Sequence, residues 1–364
     1  MDKGCFQAAW EEYEMKKLAI SLLISTALWV APAQAQVQAD LVAATEIPAG
    51  RNFAPHTPSG MLIIGPNVWV GDEVQGLRHY VPVDPTNTDP LNTGNLMFDI
   101  NTEWSLGGGT ACIPWCSVGQ VAQDGTSRSY VAVYDHQKGQ PFQVGGPGIW
   151  MVQFQDTFGN FSPFAGISPV APGLGLAGDQ PTAVVLGPDG NLYVGFLKNG
   201  NIKRVTNPSQ ANSTPQNQTV QTVGGTPNGR ASRAMAFLGS DLYIATDQGL
   251  AVVKNATACN NNQGGCGNAV PVADGFAGVS HVALTSDGVS RLYFSVNASV
   301  ERYTPSTGAV SSISSGFAFV GGHTNTLTLD GFGNLWVGDD TTDGQLPFSG
   351  RLWRIPAASL ATIP

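Results

Sequence analysis

Six segments of the chain repeat one plan, and that periodicity limits the fold more than any other feature. Each unit has an apolar strand, a turn rich in Gly or Asp, and a second apolar strand carrying an aromatic residue. The units read GMLIIGPNVWVGDE from Gly60, SVGQVAQDGTSRSYVAVYD from Ser117 and PTAVVLGPDGNLYVGF from Pro181. The remaining three are SRAMAFLGSDLYIATD from Ser232, SHVALTSDGVSRLYFSV from Ser280 and NTLTLDGFGNLWVGDD from Asn325. The equivalent aromatics, Trp69, Tyr130, Tyr193, Tyr243, Tyr293 and Trp336, are spaced 61, 63, 50, 50 and 43 residues apart. Such spacing suits four-stranded sheets with variable loops.

A third strand follows each pair: GLRHYV, GIWMVQF, GNIKRV, GLAVVK, SVERYT and GRLWRI. Fourth strands are assigned at QTVQTV from Gln218, NAVPVA from Asn268 and AVSSIS from Ala309. The alternation suits sheets packed face to face. The expected fold is all-β: a six-bladed β-propeller of four-stranded antiparallel blades. The last unit has no fourth strand of its own. The segment LVAATEIP at 41–48 is expected to supply it and close the ring, which would remove an exposed edge. Five or seven units remain compatible, because the second unit fits the plan least well, and a frayed N-terminal arm is the other reading of 41–48.

Composition agrees. Of 364 residues, 45 are Gly and 24 Pro, and 12% are charged, which disfavours long helices. The net charge of −9, without a Lys/Arg cluster, argues against nucleic acid and anionic membrane surfaces as partners.

From Met15 the chain reads MKKLAISLLISTALWVAPAQAQ. Lys16 and Lys17 precede an apolar run, and Ala33-Gln34-Ala35 is an A-x-A cleavage signal. Residues 15–35 therefore read as a signal peptide of bacterial type. The run is short for a membrane anchor, the competing reading. Residues 1–14 carry Asp2, Glu11, Glu12 and Glu14 ahead of the basic start and read as an upstream extension. Residues 36–364 form one propeller domain, periplasmic or secreted, monomeric, with no membrane span after cleavage. Removing the leader leaves Cys112, Cys116, Cys259 and Cys266. Proximity favours disulfides 112–116 and 259–266 among three pairings, against a metal or redox role.

At GPDGNLYVG and GFGNLWVGDD the chain resembles the NHL-type and gluconolactonase-like propellers, and is similar to the streptogramin-lyase propeller. The likeness extends over most of residues 41–356 through motifs that are chiefly turn chemistry. It implies a site at one mouth of the central channel. Innermost strands start there with Gln180, Arg233, His281, His323 and Asn325, and loops after the second strands bring Asp72, Glu73, Asp247, Asp339 and Asp340 to the rim. The loop 101–117, with Trp104 and Trp115, is expected to overhang this mouth. Asp189 and Gly190 fall on the opposite face as structural residues.

Gln180, Arg233, Asn325, Trp104 and Trp115 are the candidate ligand contacts. Asp72, Glu73, Asp339 and Asp340 suit a hard cation, Ca²⁺ or Mg²⁺. Gluconolactonase-like enzymes place Asn-Gly or Asp-Gly pairs at the matching strand starts, whereas this chain has Gln-Pro, Ser-Arg, Ser-His and Thr-Asn. The streptogramin-lyase likeness implies a His base, for which His281 and His323 are the candidates. No nucleophile elbow, metalloprotease or phosphate-loop motif occurs. The first functional reading is an exported propeller that binds a small molecule or protein on its mouth face. The second is a divalent-metal-dependent hydrolase or lyase.

Overall fold

The computed structural model describes residues 45–47, 58–64, 67–72, 76–80, 96–99, 116–125, 127–136, 148–153, 167–171, 174, 180–211, 217–259, 266–274, 283–296, 298–315, 317, 326–339 and 351–361. Residues 1–35, read from sequence as an upstream extension (1–14) and a signal peptide (15–35), lie outside them. So do Glu73, Trp104, Cys112, Trp115, His281, His323, Asn325 and Asp340.

The protein is an all-β propeller of four-stranded antiparallel blades. Its strands form six such sheets, each a meander except the last. The first holds β2 (Pro58–Ile64), β3 (Asn67–Asp72), β4 (Gly76–Tyr80) and β5 (Leu96–Asp99). The second holds β6 (Cys116–Gln123), β7 (Arg128–His136), β8 (Gly148–Gln153) and β9 (Ile167–Val170). The third comprises β10 (Pro181–Leu186), β11 (Leu192–Phe196), β12 (Asn201–Val205) and β13 (Val220–Gly225). The fourth comprises β14 (Ala234–Leu238), β15 (Asp241–Thr246), β16 (Gly249–Val253) and β17 (Val270–Asp274). The fifth is built of β18 (Leu284–Ser286), β19 (Leu292–Val296), β20 (Ser299–Thr304) and β21 (Ala309–Ser315). The sixth has β22 (Thr326–Leu329), β23 (Leu335–Asp339) and β24 (Arg351–Ile355), with β1 (Thr45–Ile47) antiparallel on β24.

Each first strand lies against the first strand of the next sheet, and β22 lies against β2. The aromatic of each second strand is buried: Trp69, Tyr130, Tyr193, Tyr243, Tyr293 and Trp336. Burial, before any nearby charge, raises the Tyr130 and Tyr193 hydroxyl pKa values, so both stay neutral. Two residues beyond each aromatic the side chain is small: Gly71, Ala132, Gly195, Ala245, Ser295 and Gly338. The seam between sheets explains the choice. A Cβ on Gly195 would stand 2.5 Å from the Ser232 Cβ, and one on Gly71 would stand 2.6 Å from Val118 Cγ1.

Turn chemistry locks the aromatics in place. Asp330 Oδ1 accepts the Phe332 and Asn334 backbone N–H groups at 2.9 Å each, while its Oδ2 accepts from Asn334 Nδ2 and Trp336 Nε1. Asp189 repeats the device, accepting from Asn191 and from the Tyr193 hydroxyl at 2.9 Å. Gly190 follows at φ +73°, which a side chain would strain. These residues are structural, as their sequence position suggested.

Cys259 and Cys266 are joined as a disulfide with Cα atoms 5.3 Å apart. The segment after it leaves its own sheet and pairs with the preceding one. Cys266 N–H donates to Val223 O at 2.9 Å, Ala269 N–H donates to Gly225 O at 2.7 Å, and Gly225 and Asn268 form a parallel bridge.

Candidate functional site: the channel between the innermost strands

The first strand of a sheet pairs on one side only, so its other edge presents backbone N–H and C=O groups that need partners. Here those strands surround a cavity of roughly 240 Å³. Every sheet contributes, with Met61, Gln120, Leu186, Phe237, Ser286 and Thr328 in the wall. Among the described residues the wall carries no Asp, Glu, Lys, Arg or His. It offers methyl and ring surface, hydroxyls, two side-chain amides and strand edges. That set suits a neutral ligand, and within it no group is fitted to general acid–base work.

Gln120 dominates the polar part. In β6 the register against β7 slips between Val118 and Val121, so Gly119 and Gln120 form a bulge. A bulge re-aims the side chain it carries. Gly119 permits the chain to press against the third sheet, since a Cβ there would collide with the Thr182 carbonyl. From the bulge the Gln120 amide reaches the third and fourth sheets. Nε2 donates to Met235 O at 2.7 Å, while Oε1 accepts from Met235 N at 2.9 Å and from Val184 N at 3.2 Å. Nothing in the sequence set Gln120 apart; an extra residue in an inner strand was the signal available.

Inter-sheet hydroxyl bonds pin the wall near the strand starts. Ser59 Oγ donates to Val118 O, and Thr182 Oγ1 donates to Ser232 O at 2.6 Å. Both residues sit at register slips of their own strands.

The nominated residues that the structure describes stand outside the wall of this cavity. Gln180 stands before β10 with φ +48°, its carbonyl accepting Leu197 N–H at 2.9 Å. Arg233 stands before β14 and donates its backbone N–H to Ala245 O at 2.9 Å. Asp247 follows β15, with Oδ1 buried and lacking a hydrogen-bond partner among the described residues. None of these three is in the wall. Asp72 ends β3, and Cys116 opens β6.

Asp339, placed by the sequence reading at the rim, ends β23 with an exposure of 0%. It occupies the position three beyond the aromatic, where Val133 and Phe196 are also at 0%, so the register turns it into the packing. Among the described residues no three His, Cys, Asp or Glu side chains gather in a metal-binding group. No helix among them is long and apolar enough to cross a membrane.

No family model matches the chain, and no curated protein matches it. Solved structures do. A luciferin-regenerating enzyme aligns with a TM-score of 0.51 and 11% identity, over 86% of this chain and 95% of that one. A streptogramin B lyase aligns at 0.48 and 12%, over 87% and 98%. The extracellular domain of a Bacteroides thetaiotaomicron protein described as a one-component system aligns at 0.45 and 13%, over 85% of this chain but only 39% of that one. At 11% identity the likeness to the first of these concerns the fold alone, and it agrees with the β-propeller that the sheets describe.

Proposed function

We propose that the protein is an exported propeller that binds a neutral small molecule or a protein segment at one end of its central channel, without transforming it. In this reading the six sheets are the six blades of one ring, β1 completes the last blade, and residues 15–35 direct export. The NHL-type and gluconolactonase-like resemblance is then one of scaffold. The observation that carries the reading is a channel wall that bears no charge among the described residues and to which every innermost strand contributes. Gln180, Arg233, Asn325, Trp104 and Trp115 are the contacts proposed around the mouth.

The test uses purified mature protein, screened by thermal shift against sugars, cyclic amides, lactones and esters, with metal content measured in parallel. A saturable rise in Tm with the ligand recovered unchanged is expected. Saturable turnover of a lactone or ester that depends on added Ca²⁺ or Mg²⁺, and is lost in His323→Ala or Asn325→Ala, overturns it in favour of a metal-dependent hydrolase or lyase.

A further inference from the structure

The hydrogen bonds of Gln120 define a recognition element as well as a brace. Two backbone N–H groups, of Met235 and Val184, converge on Oε1, and donors can face only an acceptor, so the orientation of the amide is set by its partners. The neighbouring Met235 carbonyl then receives Nε2–H. One residue of β14 thus offers both its N–H and its C=O to a single planar group. To satisfy them together, that group must carry an N–H donor on the same side as its carbonyl. A primary carboxamide does so. So does a lactam, whose ring holds the amide cis. An open-chain secondary amide in its trans form points the two groups in opposite directions and cannot. Esters and lactones have no donor to offer.

We propose that the channel edge formed by Met235 and Val184 is a binding site for a primary carboxamide or lactam group, and that Gln120 occupies it as a tethered internal ligand. The remainder of such a ligand would lie in the adjoining cavity, whose wall mixes apolar side chains with Thr and Ser hydroxyls and bears no charge among the described residues. This inference rests on the reading that the channel takes a neutral ligand and names its chemical class. An internal ligand lowers the apparent affinity for an external one by the fraction of time that it holds the site. Only a ligand able to displace the Gln120 amide, or a protein in which that amide has swung away, would show full binding.

The test titrates wild-type and Gln120→Ala protein with 2-pyrrolidinone, following the Met235 and Val184 amide resonances by NMR. N-methyl-2-pyrrolidinone, which lacks the N–H, and γ-butyrolactone are the controls. Gln120→Ala should bind 2-pyrrolidinone saturably and at least about tenfold more tightly than wild type, with both controls weaker by about tenfold or more. Where Gln120→Ala is unfolded at the assay temperature, Gln120→Ser takes its place, and a rise in Tm with 2-pyrrolidinone but not with the controls is the expected readout. Equal binding of all three compounds, no binding to a folded variant, or two unfolded variants that 2-pyrrolidinone does not restore would each overturn the inference. Binding of a ligand of another class in the thermal-shift screen would sink this inference while leaving the broader channel reading intact.

Discussion

Gly195 faces Ser232 of the following sheet so closely that a Cβ on the glycine would stand 2.5 Å from the serine Cβ. The Thr182 hydroxyl donates to the carbonyl of the same serine at 2.6 Å, so the seam between the third and fourth sheets cannot simply widen. Gly195→Val is therefore expected to cost about 1–3 kcal/mol by overpacking. Urea unfolding of the variant checks this, and an unchanged midpoint would show that the seam yields.

Asp330 anchors the turn ahead of Trp336 through four acceptor contacts. Asp330→Ala leaves the indole N–H and the turn amides without that partner and should lose about 1–3 kcal/mol. Asp330→Asn keeps one acceptor oxygen and should lose less. The ordering of the two variants in thermal melts is the decisive measurement.

Glu301 supplies a pH dependence. Burial raises its pKa above the ordinary 4.5, only partly opposed by hydrogen bonds from Ser299 and Ser312. A carboxyl group whose folded pKa exceeds its unfolded pKa favours folding while protonated, and that contribution drains away as pH rises through the folded value. Glu301→Gln, which stays neutral and can still accept the 2.7 Å bond from Ser299 Oγ, should thus be more stable than wild type at pH 7. The difference should shrink as pH falls through the folded value and be gone below about 4.5. Paired melts across that range read it directly; a gap that grows on acidification refutes the assignment.

The Cys259–Cys266 bridge closes a short loop, and its loss should cost about 2–3 kcal/mol. Mild reduction, or Cys259→Ser with Cys266→Ser, followed by denaturant unfolding, gives the figure. The amides of Cys266 and Ala269 should exchange with solvent faster than before, because they bond to the neighbouring sheet.

Export predicts a defined start. Mass spectrometry of protein recovered from the native host should find an N-terminus at Gln36 and no peptide from residues 1–14. A mature chain that retains residues 15–35 would count against a cleaved leader.

Much of the architecture was legible because it rests on local rules. The aromatic of each second strand, the turns around Asp189 and Asp330, and the third strands follow alternation and turn chemistry that short stretches reveal. The outer strands were harder. β5 and β9 had no assignment, since a peripheral strand of four residues carries little pattern. The small residue two places beyond each aromatic passed unnoticed, as its cause lies in the adjoining sheet rather than in its own. The second unit looked weakest for a physical reason: the Gly119–Gln120 bulge breaks the alternation there. That irregularity delivers an amide to the channel, so the poorest match to the repeat is the most informative about the site. The burial of Asp339 was not legible either, because charge at a strand end suggests water, whereas Val133 and Phe196 at the same register are also buried.

The crossing of the Cys266–Ala269 segment onto β13 bears on how the molecule withstands proteases. A single cut between Cys259 and Cys266 would leave two polypeptides, yet a covalent link and a set of backbone bonds to the previous sheet would still tie them together. The nicked species should run as one band on a denaturing gel without reductant and as two with it. It should also keep its channel, because the cut is distant in sequence from the described residues of the wall, the nearest being Phe237 and Leu284.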